Sequence, residues 1–145
     1  GAGTVTKVSE VNNLSGLGCQ MIVSPNTDKD VIKATKDKGM LSFPGVLTPS
    51  DCFSAINSGA DALKIFPAFK LGVDGFKAVK AVLPSDVKTY GVGGINENHF
   101  HEWLLAGLTG FGIGSNLFHP SMNDDDIKTT AKKIVIEYDS WFAER

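Results

Sequence analysis

Short apolar runs alternate with longer amphipathic ones along this chain, and the alternation predicts its elements. Gln20-Met21-Ile22-Val23-Ser24 is bounded by Pro25-Asn26 and reads as a strand. Asp28 to Lys38 reads as a helix, with Thr27 or Asp28 as its N-cap and Gly39 as its stop. Met40-Leu41-Ser42-Phe43 is the next predicted strand. In Thr48-Pro49-Ser50-Asp51, Thr48 suits an N-cap, Pro49 suits the first helical position and Asp51 completes a box-like cap, which predicts a helix to Gly59. Ala62 to Phe66 then reads as a strand, Gly75 to Leu83 as a helix ended by Pro84, and Val87 to Val92 as a strand. Asn96 to Ala106 follows as a helix stopped by Gly107, and Gly110 to Gly114 as a Gly-rich strand ending in Ser115. A last helix starts at Asn123-Asp124-Asp125-Asp126, where negative charge is favourable. Its apolar residues, from Ile127 through Ala131, Ile134, Val135, Tyr138 and Trp141 to Phe142, recur at helical spacing and mark core or interface. At the start, Gly1 to Val5 fits the tail of a strand and Val8 to Leu17 the helix after it.

Strands recurring every roughly 20–25 residues with helices between them are the rhythm of parallel βα units. About six such units fit, too few for a closed eight-fold barrel and slightly many for a small open sheet. No linker or low-complexity stretch interrupts them, so residues 1–145 read as a single domain. A net charge of −2 argues against nucleic acid and against a polybasic membrane anchor as partners. No apolar run approaches a transmembrane span, and no cationic-then-apolar leader opens the chain. Cys19 and Cys52 lack metal-ligand spacing and are too few for a disulfide framework. They read as buried small hydrophobes in a reducing, cytoplasmic compartment.

In βα proteins, ligands sit at the C-terminal ends of the strands. Those ends are Thr4, Pro25-Asn26, Pro44-Gly45, Phe66-Pro67, Gly93-Gly94 and Gly114-Ser115. Within Ala62–Phe66, Lys64 shares a face with Ala62 and Phe66, while Leu63 and Ile65 point the other way. A lysine placed there loses hydration, which favours the neutral amine that carbonyl chemistry requires. A strand-end lysine that snorkels to water fits the same position, and the strand alone leaves both readings open. Gly93-Gly94 and Gly114-Ser115 end the last two strands. Backbone amides exposed by glycine, with a hydroxyl beside them, make an anion cradle and point to phosphate; tight turns alone would also use such glycines. His99, His101 and His119 have no metal-pair spacing and read as surface or cap residues. Three consecutive carboxylates at Asp124–Asp126 point in different directions on a helix, so no metal site is expected. No carboxylate stands on a strand end to move protons.

Taken in order, Gly1-Ala2-Gly3-Thr4-Val5, Ile22-Val23-Ser24-Pro25-Asn26, Pro44-Gly45 with Thr48-Pro49-Ser50, Leu63-Lys64-Ile65-Phe66-Pro67, Val92-Gly93-Gly94 and Gly112-Ile113-Gly114-Ser115 resemble the class I aldolases of 2-dehydro-3-deoxy-6-phosphogluconate and its galactonate epimer. The resemblance covers essentially the whole chain. It implies an α/β TIM barrel, a homotrimer, and cleavage of a sugar acid phosphate to pyruvate and glyceraldehyde 3-phosphate without a metal or other cofactor. Lys64 would be the Schiff-base lysine, and Thr4 would help hold the pyruvate carboxylate. Pro25 and Phe66 would line the pocket, and Gly93, Gly94, Gly114 and Ser115 would hold the phosphate. Asn26, Val92 and the Lys80–Asp86 run look more like the galactonate branch; the gluconate branch more often has a hydroxyl residue in place of Val92. Family members begin two βα units earlier, and those units carry a carboxylate-binding arginine and a proton-shuttling glutamate. Their absence here implies the C-terminal six units of a barrel.

Two other classes share parts of the pattern. Epimerases and decarboxylases built on phosphate-binding barrels share the glycine loops but rely on acidic residues and a metal or proton relay. A flavodoxin-like phosphate-binding module accommodates about six units, but gives no reason for a lysine inside an apolar strand.

Overall fold

A computed structural model describes residues 1–143. The elements run α1 (Val8–Gly16), β1 (Met21–Val23), α2 (Lys29–Asp37), β2 (Leu41–Phe43), β3 (Gly45–Val46), α3 (Pro49–Asn57), β4 (Leu63–Ile65), α4 (Ala68–Lys80), β5 (Thr89–Val92), a 3₁₀ turn (Glu97–His99), α5 (Phe100–Leu105), β6 (Gly110–Gly112) and α6 (Asp124–Ala143). The local chemistry explains the helix starts. Asp28 caps α2 by accepting from the amides of Asp30 and Val31. Thr48 and Asp51 cap α3 reciprocally, with Pro49 at its first position.

All strand pairs are parallel, and they follow one another in chain order: β1 with β2, then β3, β4, β5 and β6. β2 and β3 are one stave broken at Pro44. Its first half pairs with β1 and its second half with β4, where Pro44 O accepts from Lys64 N at 2.9 Å. Ahead of β1, Ala2 bridges Ile22 and extends the wall by one more short stave. Sequential winding is the pattern of a TIM-type barrel wall; a doubly wound flavodoxin-like sheet reverses its order at a switch point. The wall does not close among the described residues.

Burial divides the two faces of this wall. The outward set Ile22, Ser42, Val46, Leu63, Ile65, Thr89 and Gly91 is buried under helices. Leu63 and Ile65 join Phe76, Phe100 and Trp103 in the main core, while Ile22 packs with Val5, Val11, Val31 and Met40 in a second cluster. The inward set, Met21, Val23, Leu41, Phe43, Lys64, Tyr90 and Val92, is half-exposed, and Leu41 is 46% accessible. This apolar inner face therefore lacks a full covering among the described residues.

Several boundaries differ from expectation. The strand over Gly1–Val5 contracts to the single bridge at Ala2. The helix expected from Gly75 begins at Ala68, kinked at Gly72 with φ 68°, a conformation that interrupts the apolar periodicity. The Val87–Val92 strand is ordered as sheet from Thr89. On α6, Ile134, Tyr138 and Trp141 pack on the core, while Val135 and Phe142 stay exposed. Cys52 is buried, and burial pushes its thiol up to about 11; Cys19 is half-buried.

Candidate active site

Lys64 occupies the centre of β4, flanked in register by Gly45 on β3 and Tyr90 on β5. Its neighbours Leu63 and Ile65 are anchored in the core, so the strand cannot rotate and Lys64 must face inward. Gly45 puts no side chain beside the lysine on one flank, and the Pro25 carbonyl fills that space. Tyr90 closes the other and stacks on Phe43, with ring centroids 5.4 Å apart and planes 17° apart. The ammonium end lies 4.4 Å from the centroid of the Phe66 ring. Burial lowers the Lys64 pKa from the ordinary 10.5. The ring face attracts a cation, but removal from water is the stronger influence here. The half-buried amine thus loses its proton more readily than a surface lysine.

Phe66 joins this amine to the second feature. A Cβ placed on Gly93 would lie 3.3 Å from the Phe66 ring, so the ring packs directly against the Gly93 turn. The amide of Phe69 donates to Gly93 O at 3.1 Å, tying the segment after β4 to the same turn. Gly93 and Gly94 both have left-handed backbones, φ 91° and 72°. At Gly94 a Cβ would meet Phe69 Cβ at 2.6 Å, so both conformation and packing require glycine.

Gly93, Gly94, Gly114 and Ser115 line one hollow of about 210 Å³, together with Val92, Ile95, Gly112 and Asn116. The first four stand at the strand ends expected from the sequence. Asn116 carries no such signal; its Nδ2 donates to Ile95 O at 2.9 Å across the mouth of the two turns. The reason for glycine at position 45 is likewise visible only in the fold. A Cβ there would collide with the Pro25 carbonyl and lie 2.9 Å from Asn26 N, so the Pro25-Asn26 turn sits on the backbone next to Lys64. Thr27 Oγ1 donates to Gly45 O at 2.8 Å and fixes that contact.

Thr4 stands apart. It is exposed, has φ 58°, and lines a different hollow with Ala2, Gly3, Val5, Glu10, Asn13 and Leu14. A β-branched residue in the left-handed region is uncommon and marks local constraint. The histidines serve local roles. His99 Nδ1 accepts from Asn96 N at 3.3 Å, His101 Nε2 and His119 Nδ1 pair with Ser140 and Ser121 hydroxyls, and His101 lies edge-on to Trp141. Among the described residues no helix is long and apolar enough to cross a membrane.

A parallel wall wound in chain order, a half-buried lysine in mid-strand and a glycine-lined hollow on the last two strands are the features of a barrel wall with a candidate site at its strand ends. The chain belongs to the KDPG and KHG aldolase family, which matches it over residues 1–133. The 2-dehydro-3-deoxy-6-phosphogalactonate aldolase of Escherichia coli (strain K12) is 41% identical over 138 residues, covering 95% of this chain and 67% of that protein. A solved structure described as native KDPGal superposes with a TM-score of 0.96 at 39% identity, covering 99% of this chain and 69% of that one. A KDPG aldolase from Legionella pneumophila, with pyruvate captured at low pH as a covalent carbinolamine, superposes with a TM-score of 0.74 at 27% identity, covering 95% and 65%. The match spans about two thirds of the length of the relatives named for the galactonate substrate and about half of those named for the gluconate one.

Proposed function

We propose that the protein is a class I aldolase that cleaves 2-dehydro-3-deoxy-6-phosphogalactonate to pyruvate and D-glyceraldehyde 3-phosphate. The observation that carries this reading is the Phe66 bridge. One ring touches the Lys64 amine on one side and the phosphate-type glycine turn on the other. A substrate with a carbonyl at one end and a phosphate at the other fits that layout. The names of similar proteins support the same substrate class.

The neutral Lys64 amine attacks the C2 carbonyl, and loss of water gives a protonated imine. The imine accepts the electron pair of the C3–C4 bond as that bond breaks, while the C4 hydroxyl gives its proton to a base and becomes the carbonyl of the departing aldehyde. The enamine takes a proton at C3, and hydrolysis releases pyruvate and the free amine. Phe66 and the Phe43–Tyr90 pair keep water from the amine before attack. Gly93, Gly94, Gly114 and Ser115 hold the phosphate, so binding energy at the far end orients the reacting bond. Pro25 forms the wall beside Gly45. Val92 in the cradle wall, with no hydroxyl to offer, favours the galactonate over the gluconate epimer.

The half-exposed inner face fits six units of an eight-unit barrel, the remaining two supplying the arginine for the carboxylate and the glutamate that moves protons. The exposed Val135, Ile136 and Phe142 on α6 suit burial in a homotrimer. The two unpaired cysteines suit the cytoplasm.

The test is a borohydride trap with pyruvate, read by peptide mass, on this chain and on a form with two preceding βα units restored. A reduced pyruvyl group on Lys64, absent from Lys64→Ala, is expected in the restored form. An adduct that survives Lys64→Ala would sink the assignment. Comparing kcat/KM for the two epimers then tests the galactonate preference.

A further inference from the structure

The two turns that form the cradle are held very differently. The Gly93-Gly94 turn is anchored. Ile95 is 5% accessible and packs in the main core, Phe69 N donates to Gly93 O, and the Phe69 side chain fills the space beside Gly94. The turn after β6 is more exposed, although Ile113 at its start packs on the core. Gly114, Ser115, Asn116 and Phe118 are exposed, and the turn's backbone bonds close on itself, from the amides of Leu117 and Phe118 to Gly114 O. β5 and β6 stop pairing at Val92 and Gly112. Beyond that pair, the hydrogen bond between the two turns among the described residues is Asn116 Nδ2 to Ile95 O, at 2.9 Å.

We propose that Asn116 is a positioning residue that latches the exposed turn of the cradle to the core-anchored one and so sets phosphate affinity. The proposal rests on the reading of this hollow as a phosphate site and deepens it. An anion cradle works through several amides converging on one point. Separation of the two turns by even part of an ångström weakens every contact from the Gly114-Ser115 side at once. The latch uses a side-chain amide because a backbone bond would require the strands to continue in register, which would fill the hollow. Asn116 fits this task by length: its carboxamide reaches the Ile95 carbonyl from a turn whose backbone bonds close on itself. Its side chain need not touch the phosphate.

The experiment is an amide-shift NMR titration of the chain with inorganic phosphate, for the wild type, Asn116→Ala and Asn116→Gln. Saturable shifts at Gly93, Gly94, Gly114 and Ser115 are expected in the wild type. Loss of one partly buried hydrogen bond should weaken binding about five- to tenfold in Asn116→Ala. The same lost bond should lower the urea unfolding midpoint only slightly, by about 0.5 M. Asn116→Gln, which keeps the donor, should recover most of the affinity. Equal affinity in Asn116→Ala and wild type overturns the latch, as does a weakening accompanied by a fall in the midpoint far beyond about 0.5 M, which would mark general loss of structure. Absence of any phosphate-dependent shift in the wild type overturns the phosphate reading itself, and the latch with it.

Discussion

Replacing Gly94 with alanine tests the cradle where its geometry is tightest. Two separate costs arise. The residue holds φ 72°, and an L side chain in that left-handed conformation costs about 1–2 kcal/mol. The new Cβ would also sit 2.6 Å from Phe69 Cβ and 3.0 Å from two ring atoms of Phe69, where ordinary contact begins at 3.4 Å. The gap of about 0.8 Å (3.4 − 2.6) must be opened against a Cβ that cannot rotate away, and overpacking of this kind costs about 1–3 kcal/mol. The sum, about 2–5 kcal/mol, is a large fraction of a domain stability of about 5–15 kcal/mol. With a urea slope of about 2 kcal/mol/M, a loss of about 3 kcal/mol moves the midpoint down by about 1.5 M. Gly114→Ala is the control: its Cβ would meet nothing within 4 Å and its backbone is not left-handed, so the midpoint should hold. The two costs separate in a double-mutant cycle with Phe69→Gly, which removes the clashing Cβ and leaves the backbone strain. A coupling of about 1–3 kcal/mol is expected, well above the additivity error of about 0.5 kcal/mol. A Gly94→Ala midpoint indistinguishable from wild type, or strict additivity in the cycle, would refute the reasoning.

Phe66→Ala opens the Lys64 amine to water, so the pH at which pyruvate is trapped efficiently should move up toward the ordinary lysine value of 10.5; an unmoved profile would mean that the ring does not control desolvation. Asp51 provides an acid-side test. Burial alone would raise its pKa, but bonds from Thr48 N, Thr48 Oγ1 and Leu47 N outweigh it and hold the carboxyl below 3.8. A depressed folded pKa gives stability that is complete above 3.8 and is lost as pH falls through the folded value. Asp51→Asn should therefore lower the urea midpoint at neutral pH and flatten its decline on the acid side, whereas parallel pH curves would show that the cap does not titrate as described.

The sequence by itself determined the local pieces, because their causes are local. Helix starts at Asp28 and Thr48 follow from side chains that bond amides two or three residues on. The mid-strand lysine at Lys64 and the glycine pairs at Gly93-Gly94 and Gly114-Ser115 stand out because each breaks the rule of its own segment. The grouping of Gly93, Gly94, Gly114 and Ser115 could also be read, since strand order places successive strand ends side by side. Tertiary structure decided the rest. The kink at Gly72 let α4 begin at Ala68, because residues on either side of a left-handed break no longer share one apolar stripe. The identity of Gly45 depends on the Pro25 carbonyl, some 20 residues away in sequence and pressed against it in space. The Asn116 latch and the Phe43–Tyr90 stack beside Lys64 likewise join residues whose separation in the chain says nothing of their contact. A hydrogen bond or a collision is a statement about distance, and only the folded wall brings these distances into range.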